Sequence, residues 1–229
     1  MGISKSKNTN ILFIGNSFTF YNDMPNILEK LGSVNGFDVH VEHVTHGGYS
    51  LVQFINEAEV ALELSEKLDE RHWNFVILQE HSRKPLDNKT EFLSSIKSLN
   101  EMIRKQAGKT ILYSTWSYRD HSSKLKSTGL TYNEFYSLLK NRYEEAGALI
   151  DAVVAPVGTV FHKITKDDSK IDLLVEDDSH PNIKGSFIAA FMFYSIIFGE
   201  NNSNYLPDGI NEIDGNMLRK VVLNIIKQP

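Results

Sequence analysis

The sequence predicts a single-domain, three-layer α/β/α sandwich built on a five-stranded parallel sheet. Three observations lead there. Five short runs of branched and aromatic residues recur along the chain. Longer stretches with helical apolar spacing separate them. The length, 229 residues, fits one large α/β domain better than two.

The elements follow in order. Asn10–Ile14 (NILFI) is a dense apolar run that ends at Gly15 and reads as a buried strand. Pro25–Leu31 (PNILEKL) has Pro at its start and reads as a short helix, closing at Gly32 or Gly36. Asp38–Val44 (DVHVEHV) alternates as a half-buried strand does and stops at Gly47-Gly48. Leu51 to His72 keeps Leu51, Ile55, Ala58 and Leu62 near one helical face. Asn74–Leu78 (NFVIL) is the third strand. Phe92 to Gln106 is a helix ending at Gly108. Thr110–Ser114 (TILYS) is the fourth strand, Tyr132 to Ala146 a helix ending at Gly147, and Ile150–Ala155 (IDAVVA) the fifth strand, stopped by Pro156. Ile183–Phe198 and Glu212–Ile226 close the chain as helices. Residues 1–9 read as a polar N-terminal tail and residues 10–229 as the folded domain.

Composition narrows the function. Apolar residues make up 41% and charged residues 23%, as in a soluble globular protein. There is no cysteine, which excludes disulfides, thiolate metal sites and a cysteine nucleophile. The net charge of -5 argues against a nucleic-acid partner, whose binders carry a basic face. The most apolar stretch, IAAFMFYSIIF from Ile188 to Phe198, is too short to span a membrane. The start, MGISKSKNTN, lacks the apolar core of a secretory signal. A cytoplasmic location is the expectation. His40 and His43 face opposite sides of a strand, so with His46 they do not read as a shared metal site.

A parallel sheet binds ligands at the carboxyl ends of its strands, near the point where strand order reverses. Three polar segments follow strand ends: Gly15-Asn16-Ser17, Gly47-Gly48 and Gln79-Glu80-His81-Ser82. A fourth, Asp177-Asp178-Ser179-His180-Pro181, precedes a C-terminal helix. Together they hold the parts of an acyl-transfer site. A serine hydroxyl needs a base to take its proton. Histidine titrates near neutrality, a carboxylate orients the imidazole, and N–H donors stabilise the oxyanion. Ser17 stands where the sheet edge meets the next helix, a place that also suits a plain helix cap. Asp177 and His180 are three residues apart, so one turn of loop presents both on one side. Asp178 is a rival carboxylate, but only two residues from His180. Trp116 and Tyr118 follow the fourth strand and are candidates for a pocket wall, as is Asn16.

These residues resemble the SGNH (GDSL-like) hydrolase superfamily. Its nucleophile lies in a Gly-Asp-Ser or Gly-Asn-Ser turn after strand one, here Gly15-Asn16-Ser17. Its last block is Asp-x-x-His, often followed by Pro, here Asp177 to His180 with Pro181. The resemblance covers nearly the whole chain and implies a flavodoxin-like SGNH fold, with Ser17 as nucleophile, His180 as base and Asp177 as orienter. It implies oxyanion donation from the backbone of Ser17 and of Gly48, with Gly47 a close rival. The third block departs from the pattern. Where the family has Gly-x-Asn, this chain has Gln79-Glu80-His81. Gln79 is the first choice for the third donor, because it carries the same side-chain amide, and His81 is the second. The implied activity is a cofactor-independent serine esterase that binds no metal. Its first-choice substrate is an acetylated carbohydrate. A short-chain lipid esterase or thioesterase and a non-catalytic sugar-binding module are the alternatives.

Overall fold

The computed structural model describes residues 8–167, 171–199 and 202–227. Most of the expected N-terminal tail, residues 1–7, lies outside them. The first strand, β1, spans Thr9–Gly15. It is followed by a single turn α1 (Ser17–Phe20), a 3-10 turn over Tyr21–Asp23, and helix α2 (Met24–Val34). Then come β2 (Val39–Thr45), α3 (Gln53–Asn56), α4 (Ala58–Glu70), β3 (Phe75–Leu78), α5 (Lys84–Asp87), α6 (Lys89–Lys105) and β4 (Lys109–Tyr113). The second half holds α7 (Ser123–Lys126), α8 (Tyr132–Ile150), β5 (Val153–Ala155), α9 (Val157–Lys166), α10 (Ile183–Phe198) and α11 (Glu212–Ile226).

The strands form one sheet, ordered β2-β1-β3-β4-β5, and every pairing is parallel. Strand alternation splits the interior into two cores. Ile11, Phe13, Ile77, Ile111 and Tyr113 face α2, α9, α10 and α11. Leu12, Ile14, Val76, Leu78 and Leu112 face α4, α6 and α8. Nearly every side chain of α10 is buried, because the helix packs between the sheet and the pair α2 and α11. That accounts for a run apolar on all sides yet no longer than 16 residues. No helix among the described residues is long and apolar enough to cross a membrane.

Three expectations need correction. The helix expected over residues 51–72 is broken at Glu57, whose backbone is extended (φ -85, ψ 114). Its carboxylate accepts from Tyr49 Oη and Gln53 Nε2, each at 2.8 Å. Helix α8 does not stop at Gly147 but runs on to Ile150. The glycine is required there because a Cβ would lie 2.6 Å from Val154 Cγ2, so it marks a close helix–strand approach. Helix α9 was not expected at all. Pro156, read as a strand stop, is its N-cap, and Val157, Val160, Phe161 and Ile164 form its buried face.

Candidate active site

Strand order reverses around β1, with β2 on one side and β3 on the other. The loops after these three strands therefore open a crevice at one edge of the sheet. Ser17 enters it as the first residue of α1. Asn16 caps that turn: its Oδ1 accepts from Phe18 N at 3.1 Å, and its Nδ2 donates to Tyr49 O at 2.8 Å. Ser17, Gly47, Gly48, His81, Tyr118 and His180 all line a cleft of about 430 Å³.

Ser17 and His180 are 163 positions apart in sequence, yet Ser17 Oγ lies 2.7 Å from His180 Nε2. On the far side of the imidazole, Nδ1 hydrogen-bonds Asp177 Oδ2. A carboxylate there holds the proton on Nδ1 and leaves Nε2 to accept from the serine hydroxyl. The other carboxylate oxygen, Oδ1, accepts from Ser179 N and His180 N, each at 2.9 Å. Partial burial raises the Asp177 pKa, but the hydrogen bonds from the backbone and ring of His180 outweigh it and hold the group far below the usual carboxylate range. Tyr21 stacks on the imidazole, with ring centroids 4.3 Å apart and planes 11° from parallel. Phe18 meets the ring edge-on at 5.5 Å.

The loop that carries this pair is tied down from the end of β4. Arg119 Nε donates to Asp178 Oδ1 at 2.7 Å. Its Nη1 pairs with Asp172, and its Nη2 donates to Leu174 O and Val175 O. Asp178, the rival carboxylate, is therefore committed to Arg119. Lys124 reaches in from α7, with its Nζ 3.5 Å from Asp177 Oδ2.

Two expected site residues have other roles. Gln79 does not line the cleft. It is fully buried, and its Oε1 accepts from Asn16 N at 2.8 Å and Thr19 Oγ1 at 3.0 Å. Its Nε2 donates to Glu80 O at 2.6 Å. The amide braces the turn that carries Ser17 from behind, which corrects its assignment as an oxyanion donor. Gly15 permits this contact, since a Cβ there would sit 2.6 Å from Gln79 Oε1. Trp116 is not a pocket wall either. It is 2% exposed and stacked between Phe18 and Phe161 at 4.6 and 4.1 Å. Its Nε1 donates to Ser179 O at 3.0 Å, so it supports the loop from inside the core. Tyr118 does face the cleft, with its hydroxyl 3.2 Å from Ser82 Oγ. His81 faces it too. Burial pushes its pKa down, with the charges of Arg83 and Lys84 adding to the fall and Asp87 opposing it, which favours the neutral ring. Arg83 N donates to His81 Nδ1 at 3.4 Å, which leaves the proton on Nε2.

Sequence reasoning missed Tyr21, Glu80, Arg119 and Lys124. Tyr21 carried one usable signal, a spacing of four residues from Ser17. Glu80 is a buried acid, 1% exposed. Burial pushes its pKa from an ordinary 4.5 up to about 7, against the hydrogen bonds from His81 N and Leu51 N and the charge of Lys84, while Glu91 adds to the rise. The Tyr143 ring faces it from α8. Between those pH values the folded chain keeps a proton that the unfolded chain has released. Stability present below about pH 4.5 is therefore lost as pH rises to about 7. Glu80→Gln is expected to flatten that part of the stability profile, by about 3 kcal/mol across the window. Urea unfolding at pH 5 and pH 8 measures it, and an unchanged difference between the two would contradict the assignment.

No family model and no curated protein sequence matches the chain. Solved structures do. A candidate SGNH hydrolase from Slackia heliotrinireducens is 27% identical, with a TM-score of 0.74 over 82% of this chain and 98% of that one. A DUF4886 family protein from Bacteroides uniformis is 20% identical, with a TM-score of 0.77 over 96% of this chain and 95% of that one. An acetyl xylan esterase shares the fold at 14% identity, with a TM-score of 0.54 over 82% of this chain and 99% of that one. The fold and these likenesses define an α/β/α sandwich of the kind found in SGNH hydrolases. The fold is that of the SGNH (GDSL-like) hydrolases, and at 27% identity the chain is similar in sequence to one candidate member.

Proposed function

We propose that the protein is a serine esterase, with Ser17 as nucleophile, His180 as general base and acid, and Asp177 as orienter. One observation carries this reading: the Ser17 hydroxyl lies 2.7 Å from a histidine nitrogen whose ring partner is a carboxylate. Ser17 Oγ attacks the ester carbonyl and passes its proton to His180 Nε2. The imidazolium that forms is stabilised by Asp177 and by the Tyr21 ring. Collapse of the tetrahedral intermediate expels the alcohol, which takes the proton from Nε2. Water then gives a proton to His180 and attacks the acyl-serine, and the acid leaves as Ser17 is restored. Every proton in this scheme moves between Ser17, His180, water and substrate.

The oxyanion donors in this reading are the N–H groups of Ser17 and Gly48 and the Nε2–H of His81. Ser17 N sits in the first turn of a helix, where backbone N–H groups have no intrahelical partner. Gly48 turns with φ 75 at the third position of the turn closed by Tyr49 N to His46 O. His81→Ala is expected to lower kcat about 10²-fold while leaving KM within a few fold, the loss seen when one oxyanion donor is removed. An unchanged kcat for an acetyl ester would return the third donor to the unknown.

For substrate, the acetyl ester of a carbohydrate is the first choice. The cleft wall beside Ser17 presents the hydroxyls of Ser82 and Tyr118 and the ammonium of Lys124, groups that suit a polar alcohol better than a fatty one. The test is a panel of acetylated sugars set against acyl esters of increasing chain length. Rates highest for the sugar acetates support the reading, and rates that rise with chain length favour a lipid esterase or thioesterase. A fluorophosphonate probe is expected to label Ser17. Failure to label it would point to a non-catalytic sugar-binding module.

A further inference from the structure

Behind the crevice lies a carboxyl that the proposed chemistry does not use. Glu80 stands between Gln79 and His81. Its Oε1 accepts from Leu51 N at 3.1 Å and from His81 N at 2.6 Å. Leu51 belongs to the loop after β2, three residues beyond Gly48, and His81 to the loop after β3. In the sheet, β2 and β3 are not neighbours, because β1 lies between them. No ladder hydrogen bond therefore joins their carboxyl ends directly; each is tied to β1 instead, through His46 N to Gly15 O and Gln79 N to Ile14 O.

Beyond the ladder, side chains link the three loops in a closed ring. Asn16 Nδ2 to Tyr49 O ties the loop after β1 to the loop after β2. Asn16 N to Gln79 Oε1 ties the loop after β1 to the loop after β3. Leu51 N to Glu80 Oε1 closes the third side. We propose that Glu80 is a positioning residue for the oxyanion hole, holding the loop that carries Gly48 at its working distance from His81. This rests on the serine esterase reading of the same site. A buried acid is a costly way to make such a link unless something depends on it. Its placement, with one oxygen serving both backbone donors, spans two loops that nothing else in the ring joins directly. The second oxygen, Oε2, is buried and has no hydrogen-bond partner among the described residues. Exchanging it for an amide nitrogen breaks no hydrogen bond, so Glu80→Gln preserves the link. Glu80→Asp withdraws the acceptor by one methylene, and Glu80→Ala removes it.

The experiment compares these three variants with the parent protein by turnover and by amide hydrogen exchange. With p-nitrophenyl acetate, Glu80→Gln is expected to keep kcat within fivefold of the parent. Glu80→Asp and Glu80→Ala are expected to lose about 10²-fold in kcat with KM held within threefold, because an oxyanion donor acts in the transition state. Faster exchange at Leu51 and His81 is expected in Glu80→Asp and not in Glu80→Gln. Where Glu80→Ala does not fold, the Asp and Gln variants decide. Parental kcat in Glu80→Asp, a loss seen in KM alone, or equal damage in Gln and Asp overturns the proposal. Hydrogen exchange reads the link without turnover. If the parent protein proves inactive, the esterase reading fails by itself, and unchanged protection at Leu51 in Glu80→Asp removes the positioning role independently.

Discussion

Ser17→Ala is expected to lower kcat for p-nitrophenyl acetate by about 10⁴-fold or more, and His180→Ala by a similar factor. The double variant should be no worse than either single one. Nucleophile and base act as a unit, so the second deletion removes a part that has already lost its partner. Asp177→Asn should cost less, since Ser179 N and His180 N still hold the side chain through Oδ1. Its damage comes from the amide presenting N–H where a carboxylate held the imidazole proton. Ser17→Ala should unfold close to the parent's midpoint, because Ser17 lines an open cleft, whereas His180→Ala and Asp177→Asn each weaken the ring–carboxylate hydrogen bond and should unfold somewhat earlier. Steady-state kinetics checks the rates and a denaturant titration checks the fold. Parental turnover in Ser17→Ala would end the assignment of the nucleophile.

The second large effect is on stability. Trp116→Ala is expected to cost roughly 3–5 kcal/mol, the range for deleting a large buried aromatic side chain. The indole is clamped between two parallel rings, so the neighbours cannot close the space by a small tilt. It also donates to the carbonyl next to His180, so activity should fall together with stability. Trp116→Phe separates the two losses. It keeps an aromatic ring in the stack and removes the N–H, at about 1 kcal/mol for the hydrogen bond. Its kcat should fall further than its stability explains, as the Ser179-His180 segment loosens. Urea unfolding with an unchanged slope and a lowered midpoint is the expected result for the alanine variant. An unfolding free energy within about 0.5 kcal/mol of the parent's would show that the stack is dispensable.

Much of the fold could be read before any coordinates, because long apolar runs and alternation report directly on burial. The sheet and its central helices follow from that pattern. The break at Glu57 was hidden, since a side-chain hydrogen bond to Tyr49 from eight residues away leaves no periodic trace. Gly147 misled because glycine marks both helix ends and tight packing, and only the position of Val154 distinguishes them. The loops that approach Ser17 were legible as strand ends. The direction of each side chain was not. Gln79 and His81 both follow β3, and two residues of separation do not say which faces the cleft when the strand has already ended. Trp116 was misplaced for a related reason: an aromatic residue after a strand can turn outward or inward, and Phe161, its inward partner, lies on the helix that sequence reading missed. Arg119 gave no signal because the carbonyls and carboxylates it gathers lie 53 or more positions away.

The Tyr21 ring lies flat on one face of the His180 imidazole while Phe18 closes on it from another direction. Confined in this way, the imidazole has no free arc through which to swing between the two halves of a turnover. Under the esterase reading, the incoming water must then meet Nε2 where the departing alcohol left it. A bulky alcohol that lingers would therefore block its own deacylation, and added nucleophiles small enough to share that doorway should intercept the acyl group more readily than large ones.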